Sequence, residues 1–186
     1  MGCGEGVLVE EFSQKGWKIE GIDLNYESEY VRRGDALNMP YPDASFDIVL
    51  FLDTLEHLTY ENQPKALAEI KRILKPGGSL IMSVPNLAHL NSRVDFVLFG
   101  KLDRPDKETD HIGERPKGEY EELLKKTSFT LEKTIGITFT LPFVYRKVVC
   151  RNPAKFRWLH DSLEPLARLF PSLAMLAIFV CRRGGD

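Results

Sequence analysis

The chain has no apolar run long enough to cross a bilayer. Its longest, LAMLAIFVC over 173–181, falls far short of the roughly 20 residues a spanning helix needs, and Pro165, Arg168 and Pro171 spoil any longer stretch. Cysteine is scarce: Cys3, Cys150 and Cys181 are far apart, odd in number and without the paired spacing of a zinc site. No basic segment followed by an apolar run opens the chain, so no signal peptide is expected, and the scattered thiols fit a reduced, cytoplasmic setting. The net charge of −2 excludes a polycation that binds nucleic acid along its whole length. Two phosphate-binding fingerprints are also missing. The opening MGCGEG carries Gly2, Gly4 and Gly6, but residue 7 is Val, which breaks G-x-G-x-x-G, and no P-loop lysine follows.

What is present is the balance of a soluble globular chain: 186 residues, 43% apolar and 28% charged, enough for one domain with a real core. Residues 5–15 read as a helix, with Leu8 and Phe12 four apart and Gly16 as the stop. WKIEGID over 17–23 reads as a strand ending on a carboxylate, and YVRRGDA as a further short strand. FDIVLFL over 46–52 is nearly continuous in apolar side chains, as in a strand buried on both faces. A helix capped by Asn62 follows, with Leu67, Ile70 and Leu74 at helical spacing, and KPGG closes it at Lys75. SLIMSV over 79–84 is the next strand. Residues 85–117 are irregular and polar, the kind of long connection that carries function. Pro116 opens a helix bearing Tyr120, Leu123 and Leu124, and strands are expected at 131–138 and 173–181. Strands alternating with helices predict an α/β sandwich with a mostly parallel sheet and a ligand beyond the carboxyl ends of its strands.

Four segments carry the chemistry. The glycine turn feeds a helix, letting backbone approach a ligand at a helix N-terminus. Asp23 ends a strand where an acid can accept from ribose hydroxyls, and Asp35 lies on the next loop within GDALNMPYPDASFD. FDIVLFLDTLEHL and EIKRILKPGGSLIMSVPN follow in order. Each alone reads as a capped turn or a solvated acid; the order is the signal.

This ordered set resembles the class I S-adenosylmethionine-dependent methyltransferases, in detail over residues 1–86 and loosely beyond. The resemblance implies a Rossmann-like three-layer α/β sandwich with a mostly parallel sheet and an antiparallel last strand, PSLAMLAIFVCRR. It implies a single methyltransferase domain over 1–186, with 85–118 as a substrate-facing cover. S-adenosyl-L-methionine is the implied cofactor: Gly2, Cys3, Gly4 and Gly6 would contact its methionine part, Asp23 would hold its ribose, with Leu24 also in the cofactor site, Asp35 and Ala36 would flank its adenine, and Leu52 and Asp53 would line it near the methyl. Proton acceptors near that methyl are Asp53, Glu56, His57, His89 and His111, with His57 and His111 as the catalytic candidates. In DTLEHL, Asp53, Glu56 and His57 fall at i, i+3 and i+4, one face of a helix. The segment is similar to the E-x-x-E-H of ubiquinone-pathway O-methyltransferases and small-RNA 2′-O-methyltransferases, and His111 is placed like a further histidine of the RNA branch. That leaves room for a divalent metal without making one expected, since metal-free relatives carry similar L-E-H segments. The plain reading has Glu56 pairing locally and His57 packing beside the cofactor.

Two departures stand out. The family's first strand, which leads into the glycine turn, has no counterpart, so the chain reads as N-terminally truncated relative to the family. That strand is central, and its loss strands backbone groups at about 1–3 kcal/mol each against a total stability of about 5–15 kcal/mol. A chain extended upstream by a strand and a helix is therefore expected to be more stable and more active than this one. The second departure is the short link from Asp23 to Tyr30, where a parallel crossover normally takes a dozen residues or more.

In the cover segment, Leu90, Val94, Val97 and Leu98 are expected to form a helix packed into the core, with Arg93 solvated or holding an anionic substrate. Arg146, Lys147, Arg151, Lys155 and Arg157, interleaved with Phe143, Tyr145, Phe156 and Trp158, read as a solvated face over buried aromatics. The competing reading is a dock for a phosphate-bearing or membrane-surface substrate, or for RNA. The leading function is methyl transfer to an oxygen of a small-molecule, sugar or lipid-linked acceptor. RNA 2′-O-methylation is opposed by the acidic balance, and a catalytically silent binding module is the reading outside enzymes.

Overall fold

The computed structural model describes residues 1–102, 111–145, 149 and 151–185. Helix α1 (Val7–Gln14) starts from Gly6, whose φ of 90° is open to glycine alone at little cost. Strand β1 (Gly21–Asp23) pairs in parallel with β2 (Val31–Arg33). No helix joins them, so the short link seen in the sequence is indeed a turn. The apolar run β3 (Phe46–Leu52) pairs in parallel with β4 (Leu74–Pro85), and α2 (Gln63–Ile73) crosses between them.

KPGG does not merely end α2. Pairing begins at Leu74 against Phe46, and the glycines form an irregular start to β4, with Gly77 at φ 74° and a register shift before Ile48. Strand β5 (Phe129–Ile137) follows α3 (Leu90–Phe99) and α4 (Lys117–Lys126), and β6 (Leu176–Arg183) runs antiparallel to both β4 and β5. The larger sheet has the order β3-β4-β6-β5, so the mostly parallel sheet with an antiparallel last strand is the observed α/β, Rossmann-like arrangement. Helix α5 (Arg157–Leu169) has no counterpart in the sequence reading; it contains Pro165 and packs across β5 at Gly136, where a Cβ would lie 2.1 Å from the Ala167 carbonyl oxygen.

The main core joins one face of this sheet to α2 and α4: Phe51, Leu80, Met82 and Phe179 meet Leu67, Ile70, Tyr120 and Leu124. At about 25 cal/mol per Å² of apolar surface, such fully buried side chains dominate the stabilisation. A smaller cluster ties α5 to the start of α3 through Ala167, Phe139, Ala174 and Leu90. The far end of α3 corrects the expectation of a packed helix. Leu90 and Val94 are half-buried, but Val97 is 80% and Leu98 56% exposed.

The strands β1 and β2 form their own sheet, separate from the other four. Two backbone bonds from the first residues bridge the gap: the Met1 amine donates to the Leu50 carbonyl (2.8 Å) and the Gly2 N–H to that of Ile22 (2.9 Å). Between β1 and β3 lies a largely apolar cavity of about 430 Å³, lined among others by Leu8, Phe12, Trp17, Ile22, Ile48 and Ile81. No helix among the described residues is long and apolar enough to cross a membrane.

Candidate active site

The opening turn is built from glycines in left-handed conformation: Gly2 at φ 60°, Gly4 at 55° and Gly6 at 90°. An added Cβ on Gly2 would sit 2.2 Å from Thr54 Oγ1, and one on Gly6 2.5 Å from Val31 Cγ2. Around Gly4 nothing lies within 4 Å of that position, so its backbone faces open space. The Gly4 N–H donates to Asp23 Oδ2 (2.9 Å), and the other carboxylate oxygen accepts from the N–H groups of Asn25 (2.9 Å) and Tyr26 (3.2 Å). Asp23 is thus fixed at the carboxyl end of β1, against the turn. Cys3 directs its thiol at the Ile22 carbonyl (3.5 Å), and burial raises its pKa above the ordinary thiol value.

The loop bearing Asp35 and Ala36 hangs from the same strand end, because Gly34 N–H donates to the Asp23 carbonyl at 2.8 Å. Asp35 closes its own turn by accepting from Leu37 N–H (2.9 Å), while Leu24 is exposed. At the end of β3, past Leu52, Asp53 adopts a φ of 44°, a strained value for a non-glycine residue. Ser83 on the neighbouring strand holds it there. The Asp53 N–H donates to the Ser83 carbonyl and hydroxyl (3.0 Å each), and Ser83 Oγ donates back to Asp53 Oδ1 at 2.8 Å. The glycine turn, Asp23 and the Asp53–Thr54 corner therefore form one continuous wall at the carboxyl ends of β1 and β3. The open face at Gly4, the fixed acids and the helix start behind Gly6 suit a ligand with an amino-acid part and a ribose.

The helical face expected of Asp53, Glu56 and His57 does not form. Asp53 stands outside a short 3-10 turn, Leu55–His57, and its left-handed backbone turns it away from that spacing. What the fold assembles instead is Glu56, His57 and His111, each offering a ligand atom within 4.8 Å of the others. The two imidazole rings meet edge to face, centroids 4.8 Å apart. Glu56 is 1% exposed, and its Oε2 has no hydrogen-bond partner. Burial pushes its carboxyl up to about 7, with the charges of Asp53 and Glu114 adding to the effect. Burial and the neighbouring His57 lower the His111 pKa, whereas Asp53 opposes the shift. Nδ1 of His111 is also buried without a partner. Of the other candidate proton acceptors, His89 lies at the start of α3 and is not in this cluster.

Arg93 is exposed, as a solvated residue would be, but its guanidinium is engaged by backbone. It donates to the Ala88 (2.6 Å) and Ser172 (3.0 Å) carbonyls and pins α3 down. In the basic run, Arg157 faces Asp161 at 3.7 Å and Trp158 is 66% exposed, which contradicts buried aromatics; Arg146, Lys147 and Cys150 lie outside the described residues. Three contributors went unread in the sequence. Ser83 sits inside an apolar strand, Gln63 reads only as a residue of a helix's first turn, and Gly113 lies in a stretch with no periodicity.

Residues 1–82 match a family model described as a methyltransferase domain. A probable S-adenosylmethionine-dependent methyltransferase of Mycolicibacterium smegmatis is 29% identical over 150 residues, covering 73% of this chain and 52% of the relative. The ubiquinone biosynthesis O-methyltransferase of Idiomarina loihiensis is 30% identical over 162 residues, covering 74% and 61%. The chain thus spans between half and two thirds of the length of these two curated relatives. The crystal structure of a SAM-dependent methyltransferase from Archaeoglobus fulgidus superposes with a TM-score of 0.60 at 19% identity, covering 97% of this chain and 83% of that one, a likeness of fold.

Proposed function

We propose that this chain, whose residues 1–82 match a methyltransferase-domain model, is a class I S-adenosylmethionine-dependent methyltransferase that transfers a methyl group to an oxygen of a small-molecule, sugar or lipid-linked acceptor. The observation that carries the reading is the unbroken wall from Gly4 through Asp23 to Asp53, with two histidines and a buried glutamate beside it. S-adenosylmethionine supplies an already activated sulfonium methyl, so the polypeptide's share is to hold, orient, exclude water and take up a proton.

Gly2, Cys3, Gly4 and Gly6 would receive the methionine part, Asp23 and Leu24 the ribose, Asp35 and Ala36 the adenine, and Leu52 and Asp53 would border the methyl. Segment 85–118 would cover the acceptor. His57 and His111 are the proton acceptors of this reading. A neutral imidazole takes a proton from a hydroxyl, and the lowered pKa of His111 keeps it neutral at physiological pH. Replacing His111 by Ala should lower turnover by about 10²–10⁴-fold with little change in affinity for S-adenosylhomocysteine. Labelled-methyl transfer into extract fractions, with calorimetry alongside, measures both, and undiminished turnover would refute the assignment.

A second reading is favoured by the convergence of Glu56, His57 and His111: these residues would hold a divalent ion. Such an ion would act as a Lewis acid toward the acceptor hydroxyl. The donor set fits, because the orphan oxygen of Glu56 and the orphan Nδ1 of His111 would both gain a partner. Mixed imidazole and carboxylate ligands suit Mg²⁺, Mn²⁺ or Zn²⁺. Metal analysis of the purified chain and turnover after EDTA dialysis test it; no co-purifying metal together with unchanged turnover sinks it.

A further inference from the structure

We infer that Gln63 is a positioning residue that clamps the His111 segment onto the Glu56–His57 turn. The inference rests on reading Glu56, His57 and His111 as the cluster that carries the chemistry.

Gln63 opens α2 and is fully buried, an unusual place for a primary amide. Its Nε2 donates to the Gly113 carbonyl at 2.6 Å and to those of Leu55 and Leu58 at 3.2 Å each. Two N–H groups thus serve three acceptors, one of them shared. Its Oε1 accepts from Arg115 Nε at 2.7 Å. The orientation is forced, because a flipped amide would set an oxygen against three carbonyl oxygens and an N–H against a guanidinium. One side chain therefore holds both ends of the 3-10 turn and two points of the segment that follows His111.

The rest of the contact supports this bond. Gly113 N–H donates to the Glu56 carbonyl at 2.9 Å. A Cβ on Gly113 would lie 1.9 Å from the Leu58 carbonyl oxygen and 2.3 Å from Gln63 Nε2, so only glycine lets the two backbones meet. The Arg115 guanidinium stacks 4.4 Å over the Tyr60 ring, and the Tyr60 hydroxyl donates to the Glu114 carbonyl at 2.9 Å. His111 enters the cluster two residues before Gly113. Its edge-to-face contact with His57 depends on that anchor.

The test is the nuclear Overhauser cross-peak between the His57 and His111 rings in the full chain, read with the amide spectrum as the control for folding. The cross-peak should be present in the parent and absent from Gln63→Glu and Gln63→Leu, with the amides of β3, β4 and β6 unshifted. Gln63→Glu is the sharper variant. It keeps the oxygen for Arg115 and points a second oxygen at three carbonyls. Should both lose the folded spectrum, Gly113→Ala, which leaves Gln63 intact and pushes the segment off the turn, should show the same loss. Persistence of the cross-peak in the folded variants, its absence from the parent, or shifts spread through the whole sheet would overturn the inference. Co²⁺ titration separates it from the ion reading. If the ion reading holds, the variants should bind Co²⁺ about 10–100-fold more weakly than the parent. A parent that shows the cross-peak but binds no Co²⁺ refutes the ion and leaves the clamp standing.

Discussion

At the scale of single residues, the wall of the site depends on backbone that side chains cannot follow. Gly2 and Gly6 are closed in by Thr54 and Val31, whereas Gly4 borders open space. All three have positive φ, which costs an alanine roughly 1–2 kcal/mol. Gly4→Ala should therefore lose about that much stability, and Gly2→Ala and Gly6→Ala measurably more, because Thr54 and Val31 must also move. Chemical denaturation of the three variants checks the order; equal losses would mean the contacts give way freely. Asp23 and the glycines were readable because strand-end acids and glycine turns are written in adjacent residues. The cluster was only half readable. Glu56, His57 and His111 were all singled out, but the left-handed Asp53 breaks the helical spacing that would have included it, and the clamp at Gln63 joins segments 50 residues apart.

At the scale of elements, strong periodicity was legible and mixed signals were not. The strand 46–52 was read to its ends, since an uninterrupted apolar run has few other uses. Pro165 inside α5 masks its helical pattern, and the start of β4 is masked by KPGG, which usually ends structure rather than opening a strand. Helix α2 also anchors the loop before β3. Arg72 donates to Glu69, Asp43 and the carbonyls of Met39 and Tyr41, while Met39 N–H donates to Glu69. Arg72→Met should cost about 1.5–3 kcal/mol, the range for hydrogen bonds to a charged group. The hydrogen bond from Arg72 holds the Glu69 carboxyl below its ordinary value. Because that pKa is lowered by folding, its contribution is complete above the unfolded value of 4.5 and is lost as pH falls through the lower folded one. Parent and Arg72→Met should thus converge in stability as acid is added below pH 4.5; a constant gap would contradict the pairing. The exposed end of α3 gives the opposite kind of prediction. Val97→Asp should change the unfolding free energy, read by chemical denaturation, by no more than the scatter of surface substitutions, about ±0.5 kcal/mol, and a larger loss would mean that this turn is covered in solution.

At the scale of the whole molecule, the chain places two sheets side by side with an apolar cavity between β1 and β3 and sets the acids of both at one end. The alternation of strands and helices points to an α/β fold with a mostly parallel sheet, whereas the reversed last strand follows only from the family resemblance. How the small sheet sits against the large one depends on contacts of Met1 and Gly2 with Leu50 and Ile22, which no local pattern announces. The proposed function requires the carboxyl ends of β1 and β3 to hold one sulfonium nucleoside between them. Titrating S-adenosylhomocysteine into the labelled chain and following its backbone amides tests this most directly. Saturable shifts are expected at Gly4, Asp23, Ala36 and Asp53, with α5 unmoved. No saturable shift, or shifts confined to residues away from those strand ends, would contradict it.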